Sequence, residues 1–183
     1  TNYSSIHFHE DDLSDCNWDT DFKFKIPNKM KSGIYAVKLF NRSDEFYIPF
    51  CVKPKKKSRK NKILFLMPTA SYLAYANNRI GIDVPETELV CGRLIEMNKQ
   101  DIYLQEHPEL GLSFYDLHKD GSPVFYSSKK RPIINFQPKS IGKLGGIGSN
   151  VWQFNADTHI TGWLDNFGYD FDVITDSDLQ TEG

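Results

Sequence analysis

Two short stretches of this 183-residue chain concentrate side chains that can ligate a metal or exchange a proton. The first follows the apolar run Ile63-Leu64-Phe65-Leu66-Met67 and contains Tyr72, Tyr75, Asn77 and Asn78. The second, Ser113 to Gly121 (SFYDLHKDG), sets the phenol of Tyr115, the imidazole of His118 and the carboxylates of Asp116 and Asp120 in one polar loop, with Ser122 and Tyr126 just beyond. In open α/β sheets ligands bind outside the carboxyl ends of the strands, so the stretch after Met67 lies where such a sheet would hold a site. A plainer reading competes. Tyr72 and Tyr75 could be core aromatics on a helix face with Tyr115 packed on them, since buried tyrosines with satisfied hydroxyls are common. Residue types alone leave both open.

Other constellations are thinner. His7 and His9 alternate on an N-terminal strand and offer two metal ligands, but no third is evident, so a surface strand is expected. His107 precedes Pro108 in a loop, and His159 reads as a packing histidine on the flank of a helix. No Ser or Cys occupies a Gly-x-Ser-x-Gly elbow. Cys91-Gly92 follows Leu89-Val90 as a nucleophile turn might, yet ETELVCGRLIEM reads better as one amphipathic helix within Glu86 to Asn98, which makes Cys91 structural. Gly142 to Gly148 (GKLGGIG) follows no clear strand and lacks a Gly-Lys-Ser/Thr ending, so a surface loop is expected there rather than a phosphate cradle.

The elements that must position these residues divide at a basic run. Between Lys53 and Lys62 the sequence KPKKKSRKNK holds seven basic residues and no acid, while the whole chain has 22 basic and 24 acidic residues and a formal charge of −2. A nucleic-acid binder would spread positive charge over a face, so this block reads as a solvated linker. Before it the texture is β: Phe22 to Ile26 alternates with period two, and Gly33–Phe40 and Glu45–Val52 flank the turn residues Asn41 to Asp44 as a hairpin. Three strands cannot close a sandwich, so residues 1–54 are expected to end a preceding β domain, with 55–61 as linker. Residues 62–183 read as α/β. Lys62 to Met67 suits a strand buried on both faces of a parallel sheet. Asn155 is expected to cap a helix with Ile160, Trp163, Leu164 and Phe167 on one stripe, Gly168 to stop it, Tyr169 to Thr175 to form the next strand, and Asp176-Ser177-Asp178 to cap another helix. So few parallel strands make an incomplete sheet and suggest a fragment of a longer polypeptide.

Composition narrows the class. With 39% hydrophobic, 14% aromatic and 25% charged residues, the chain is globular, neither disordered nor fibrous. Its longest apolar run is five residues, against about 20 for a membrane span, and no secretory signal is recognisable. Three widely spaced cysteines make no disulfide framework, which fits a cytoplasmic protein.

At the two tyrosine stretches the chain resembles the large-subunit family of N,N-dimethylformamidase. KILFLMPTA with YLAYAN (residues 62–77), SFYDLHKDGS with YSS (113–128), Trp152-Gln153-Phe154 and DFDVITD (170–176) carry the likeness, and Lys31 to Val52 is similar to the end of that family's preceding β domain. The resemblance implies an incomplete class I glutamine amidotransferase-like domain. Its activity would be hydrolysis of small formamides to an amine and formate by a mononuclear ferric ion, Fe(III), held by two tyrosines and a glutamate. Carried over, Tyr115 matches one iron ligand. Tyr75, next to Ala76-Asn77, is preferred for the other, with Tyr72 as the alternative and otherwise a substrate contact. His118 would orient the site and Asn77 would offer a polar contact. The glutamate would lie past Asp178, so the 183 residues alone would not hold the metal, and a small subunit is the expected partner. Hard phenolate and carboxylate oxygens suit a trivalent ion, whose Lewis acidity is what displaces phenol protons with a pKa near 10. Two alternatives stand beside the hydrolase: a non-catalytic binding module on a degenerate α/β domain, and an amidotransferase-like hydrolase using Cys91.

Overall fold

The structure, a computed structural model, describes residues 9–56, 60–79, 89, 92, 97–138, 140 and 153–182. The expected helix over Glu86 to Asn98 (all but four of its residues), Cys91, His7, Trp152 and the Gly142 to Gly148 loop lie outside them. The described residues form two compact units, one drawn from 1–19 and 73–135, the other from 20–72, 136–140 and 151–183. The units interleave along the chain instead of meeting at the basic run.

The second unit carries the sheets. Strands β1 (Gly33–Phe40) and β2 (Glu45–Val52) pair antiparallel from Gly33↔Val52 to Phe40↔Glu45. Their aromatic and β-branched residues favour the pleat, and Asn41 closes the turn by accepting the amides of Ser43 and Asp44 at 2.8 and 2.7 Å. Strand β3 (Ile63–Met67) pairs parallel with β4 (Phe171–Thr175), Ile63 opposite Phe171 and Met67 opposite Thr175. Ser32 Oγ accepts the Val173 amide at 2.8 Å and ties the hairpin to β4. Met67, Tyr72, Phe154 and Val173 form the core, with Ile34, Cys51, Phe65, Phe136 and Phe171 packed around them.

Several expectations change here. Phe22 to Ile26 is not a strand; it is exposed and irregular, with no ladder partner among the described residues. Strand β3 is not buried on both faces: Ile63, Phe65 and Met67 turn inward while Leu64 and Leu66 are exposed. Helix α1 (Thr69–Ala74) contains the boundary between the units, and Asp176 caps its start by accepting the Ala70 amide at 2.7 Å. Asn155 does not cap the long helix near the C-terminus (Phe154–Asn166). Gln153, at φ +54°, precedes that helix without a side-chain cap, and Asn155 is buried in its first turn, donating to Ser140 O at 2.6 Å. That helix buries Phe154, Asn155, Thr161 and Leu164, whereas Ile160, Trp163 and Phe167 are exposed, Trp163 lying against Phe167 and Tyr169 at the surface. His159 is exposed too and packs in no core. Gly168, at φ +71°, ends the helix as expected, with Tyr169 N donating back to Leu164 O. The terminal helix (Asp176–Glu182) is capped by a reciprocal Thr175–Asp178 pair, the Thr175 amide reaching Asp178 at 3.0 Å and the Asp178 amide reaching Thr175 Oγ1 at 3.3 Å. The basic run is partly anchored there: Lys53 pairs with Asp178 and Glu182 at 3.0 and 2.8 Å.

The described residues of the first unit are mostly loop. Its helix α2 (Lys99–Glu106) begins with an Asn98–Asp101 capping box and buries Leu104, and a single 3-10 turn, Pro108–Leu110, follows. Among those described residues, more polar side chains than apolar ones are buried. With α2 named, the Phe154–Asn166 helix is α3 and the Asp176–Glu182 helix α4.

Candidate functional site

Tyr75 leaves the end of α1 on a backbone that polar side chains lock. Its carbonyl accepts the Asn135 amide group at 2.9 Å and the Asn78 backbone and side-chain N–H groups at 3.2 Å each. Asn77 is fully buried at φ +57°, a left-handed conformation that asparagine tolerates better than most residues. Its Nδ2 donates to Leu110 O (3.2 Å) and Pro132 O (2.7 Å), and its Oδ1 accepts the Ile134 amide (3.0 Å). The Asn77 amide is therefore committed to backbone, so it acts as a clamp and not as a contact for a ligand. Buried Arg131 completes the frame, its guanidinium donating to Ser128 O, Leu110 O, Ala76 O and Ser127 Oγ at 3.0–3.3 Å. Burial pulls its pKa down to about 10, which leaves it charged at neutral pH, helped by nearby Asp116.

The Tyr115 loop is fixed by Asp116, whose two oxygens accept the amides of Arg79 and Ser113, each at 2.9 Å. Ser113 Oγ accepts the Tyr115 amide at 3.2 Å, and the Phe114 amide donates to Ala74 O at 3.0 Å, joining this loop to the residue before Tyr75. The outcome is a stacked phenol pair. The Tyr75 and Tyr115 rings lie 4.1 Å apart at 12°. The neighbouring Tyr115 hydroxyl, then burial, then the charge a Tyr115 phenolate would carry, hold the Tyr75 phenol above its ordinary value. Tyr115 is 53% exposed, so the pair is open to solvent on one side. Two phenols on stacked rings offer a hard oxygen donor pair whose protons a strong Lewis acid can displace.

Tyr72 has a different setting. Only 3% exposed, it sits in the core of the second unit, edge-on to Phe136 and Phe154, with its hydroxyl donated to Asp157. Burial, then that bond, hold its phenol well above the usual range. Its phenol is thus occupied within the core and touches no open surface where a substrate would lie.

His118 is buried among residues of the N-terminal stretch. Its Nδ1 donates to Asp11 at 2.7 Å, its Nε2 faces Asp12 at 3.8 Å, and its ring stacks on His9 at 3.7 Å. Among the described residues none of its hydrogen bonds or ion pairs reaches Tyr75 or Tyr115. His9 is not on a strand: Asp12 N donates to His9 O at 3.0 Å, making a turn that carries both residues to His118. The dense run His9-Glu10-Asp11-Asp12 is the sequence signal for this cluster. Asp120 is held below the usual carboxylate range by the Ser122 hydroxyl and amide, and then by His9. His107 pairs with Glu109 at 2.6 Å and lies over Tyr103. Among the described residues no helix is long and apolar enough to cross a membrane.

Comparison with known proteins gives this geometry a family. All 183 residues match the family described as N,N-dimethylformamidase beta subunit-like, C-terminal. Similar curated proteins are the N,N-dimethylformamidase beta subunit of Paracoccus aminophilus, 42% identical over 182 residues, and that of an Alcaligenes species, 41% identical over 182 residues. In each case the alignment covers 99% of this chain and 23% of the relative.

Proposed function

The chain belongs to the N,N-dimethylformamidase beta subunit-like family, and from that premise we propose that it contributes the phenol half of an iron-dependent amide hydrolase centre. The observation that carries this is the stacked Tyr75–Tyr115 pair on an otherwise locked frame. The protein would cleave small N-substituted formamides to an amine and formate. Two adjacent phenol oxygens fit a hard ferric ion, and a carboxylate from elsewhere in the full-length protein would complete the set, since this chain spans only 23% of the relatives' length. When bound, ferric iron supplies Lewis acidity for water or for the amide carbonyl.

The chain's own residues have defined parts in this reading. Tyr75 and Tyr115 give up their hydroxyl protons and present oxygen ligands. Asn77, Asn135 and Arg131 hold the Tyr75 backbone, so the phenol reaches its place without reorganisation at the moment of binding. Asp116 does the same for Tyr115. The half-open face of Tyr115 leaves room for a small amide. We further read β3 and β4 as part of a glutamine amidotransferase-like parallel sheet and the β1–β2 hairpin as the end of a preceding β domain. The relatives' designation as beta subunits supports an assembly with a second kind of subunit, and in this reading the protein is the larger of the two.

The test is amine release from dimethylformamide by the full-length complex. Tyr75→Phe and Tyr115→Phe should each lower kcat by at least about 100-fold, a scale typical of losing an electrostatic element of catalysis. Tyr72→Phe should leave kcat within about threefold once corrected for folded protein, because its hydroxyl serves the core. Full activity in Tyr115→Phe would refute the reading.

A further inference from the structure

The first unit holds a second concentration of ligating groups, away from the functions assigned above. His9, Asp12 and His118 each bring one donor atom within 4.8 Å of the other two. Their side chains are 16%, 7% and 2% exposed, so the cluster is enclosed. Both imidazoles are held from outside through one nitrogen. His118 Nδ1 lies 2.7 Å from Asp11, and His9 Nε2 lies 2.9 Å from Ser122 Oγ and 3.2 Å from Asp120. In metal sites a carboxylate on the outer nitrogen orients the ring and makes its other nitrogen a better ligand. Those other nitrogens are inside here: His118 Nε2 faces Asp12 Oδ1 at 3.8 Å and His9 Nδ1 is fully buried. Asp12 is itself aimed, because its Oδ2 accepts the His9 amide at 2.8 Å. Among the described residues the ion pairs of Asp11, Asp12 and Asp120 run to these histidines and to no lysine or arginine. A carboxylate as enclosed as Asp12 needs positive charge nearby.

We propose that His9, Asp12 and His118 bind a divalent ion of the zinc class, distinct from the phenol pair, which fastens the 9–12 turn to the loop from Leu117 to Ser122. Two imidazole nitrogens and one carboxylate oxygen form a three-ligand zinc set with a fourth position for water. The rings are stacked at 3.7 Å and 13°. Each nitrogen lone pair lies in its ring plane, so sharing one ion turns one ring out of the stack.

Zinc titration of the full-length protein, with elemental analysis after dialysis, tests this. One zinc per chain is expected in addition to any iron. Asp12→Asn and His9→Gln should each weaken zinc binding by at least about 100-fold, and Asp11→Asn by about 10–100-fold, the usual range for an outer carboxylate. Iron content and the far-ultraviolet spectrum should be unaltered in Asp12→Asn, which separates this site from the phenol pair. Cobalt(II) added to the wild type should give a visible absorption of low-symmetry coordination, a readout that needs no variant to fold. Absence of zinc and cobalt uptake by the wild type, or binding in Asp12→Asn equal to wild type, would overturn the proposal.

Discussion

The two units are stabilised by different physics. In the second, burial of apolar surface by Met67, Tyr72, Phe154, Leu164 and Val173 leads, with Gln137, Asn155, Thr161 and Asp172 buried beside them. Among the described residues of the first, the buried set is dominated by Asn77, Asn78, Asp101, Ser113, Asp116, His118, Ser128 and Arg131, against the apolar Ala76, Leu104, Val124 and Ile134. A hydrogen-bonded interior fixes positions more tightly than an apolar one, because a displaced donor or acceptor is left unmet at a cost of about 1–3 kcal/mol. The unit that is harder to build is the one that sets the two phenols face to face.

The largest effect expected from this contrast is at Asn77. Asn77→Ala leaves the Ile134 amide and the Pro132 carbonyl without their partner, takes one of two donors from the Leu110 carbonyl and puts alanine at φ +57°, a loss of about 4 kcal/mol. Hydrogen exchange should rise throughout 73–135 and stay unchanged in 33–67; a uniform rise would break the distinction between the units. Met67→Ala in the apolar core should cost about 3 kcal/mol, with exchange rising in the second unit instead. Met67→Leu should cost under about 1.5 kcal/mol, whereas no isosteric change at Asn77 keeps both its donors and its acceptor. Gly168→Ala, at φ +71°, should cost about 1 kcal/mol by thermal melting.

The smallest effect is a pH dependence at α4. Burial raises the pKa of Asp178, but the Thr175 hydroxyl and Lys53 outweigh it and hold the carboxyl below its usual value. A folded-state value below the unfolded one gives stability that is present above about pH 4 and lost as the pH falls through the folded value. Fraying of α4 should therefore appear only on acidification, and Asp178→Asn should reduce that dependence to the part that the Glu182 pair with Lys53 supplies.

Legibility in the sequence followed the same division. The hairpin, β3, the Gly168 stop and the acidic start of α4 rest on local rules, turn residues and apolar periodicity, and were readable. Gln153 preceding α3 in place of an Asn155 cap was not, because Asn155 is recruited by Ser140, a partner no local pattern reveals. The outward turn of Ile160, Trp163 and Phe167 was hidden for a similar reason: periodicity finds a stripe but not the neighbour it faces. In the first unit, periodicity says almost nothing. The tyrosine stretches stood out by residue type and by family resemblance, whereas the contacts of Arg131, Asn135 and Asp11 join residues distant in the chain and carry no local mark. Residue type alone leaves Tyr72 and Tyr75 equivalent; the Asp157 carboxylate that accepts from Tyr72 and the Tyr115 ring stacked on Tyr75 separate them.

The central claim is that Tyr75 and Tyr115 together form a ferric-ion ligand pair. Visible absorption of the full-length, iron-loaded protein tests it most directly. A tyrosinate-to-iron charge-transfer band is expected in the wild type and in Tyr72→Phe, shifted or weakened in Tyr75→Phe and in Tyr115→Phe, and absent from the double variant. An iron-loaded wild type without the band, or a band that survives in the double variant, would contradict the account.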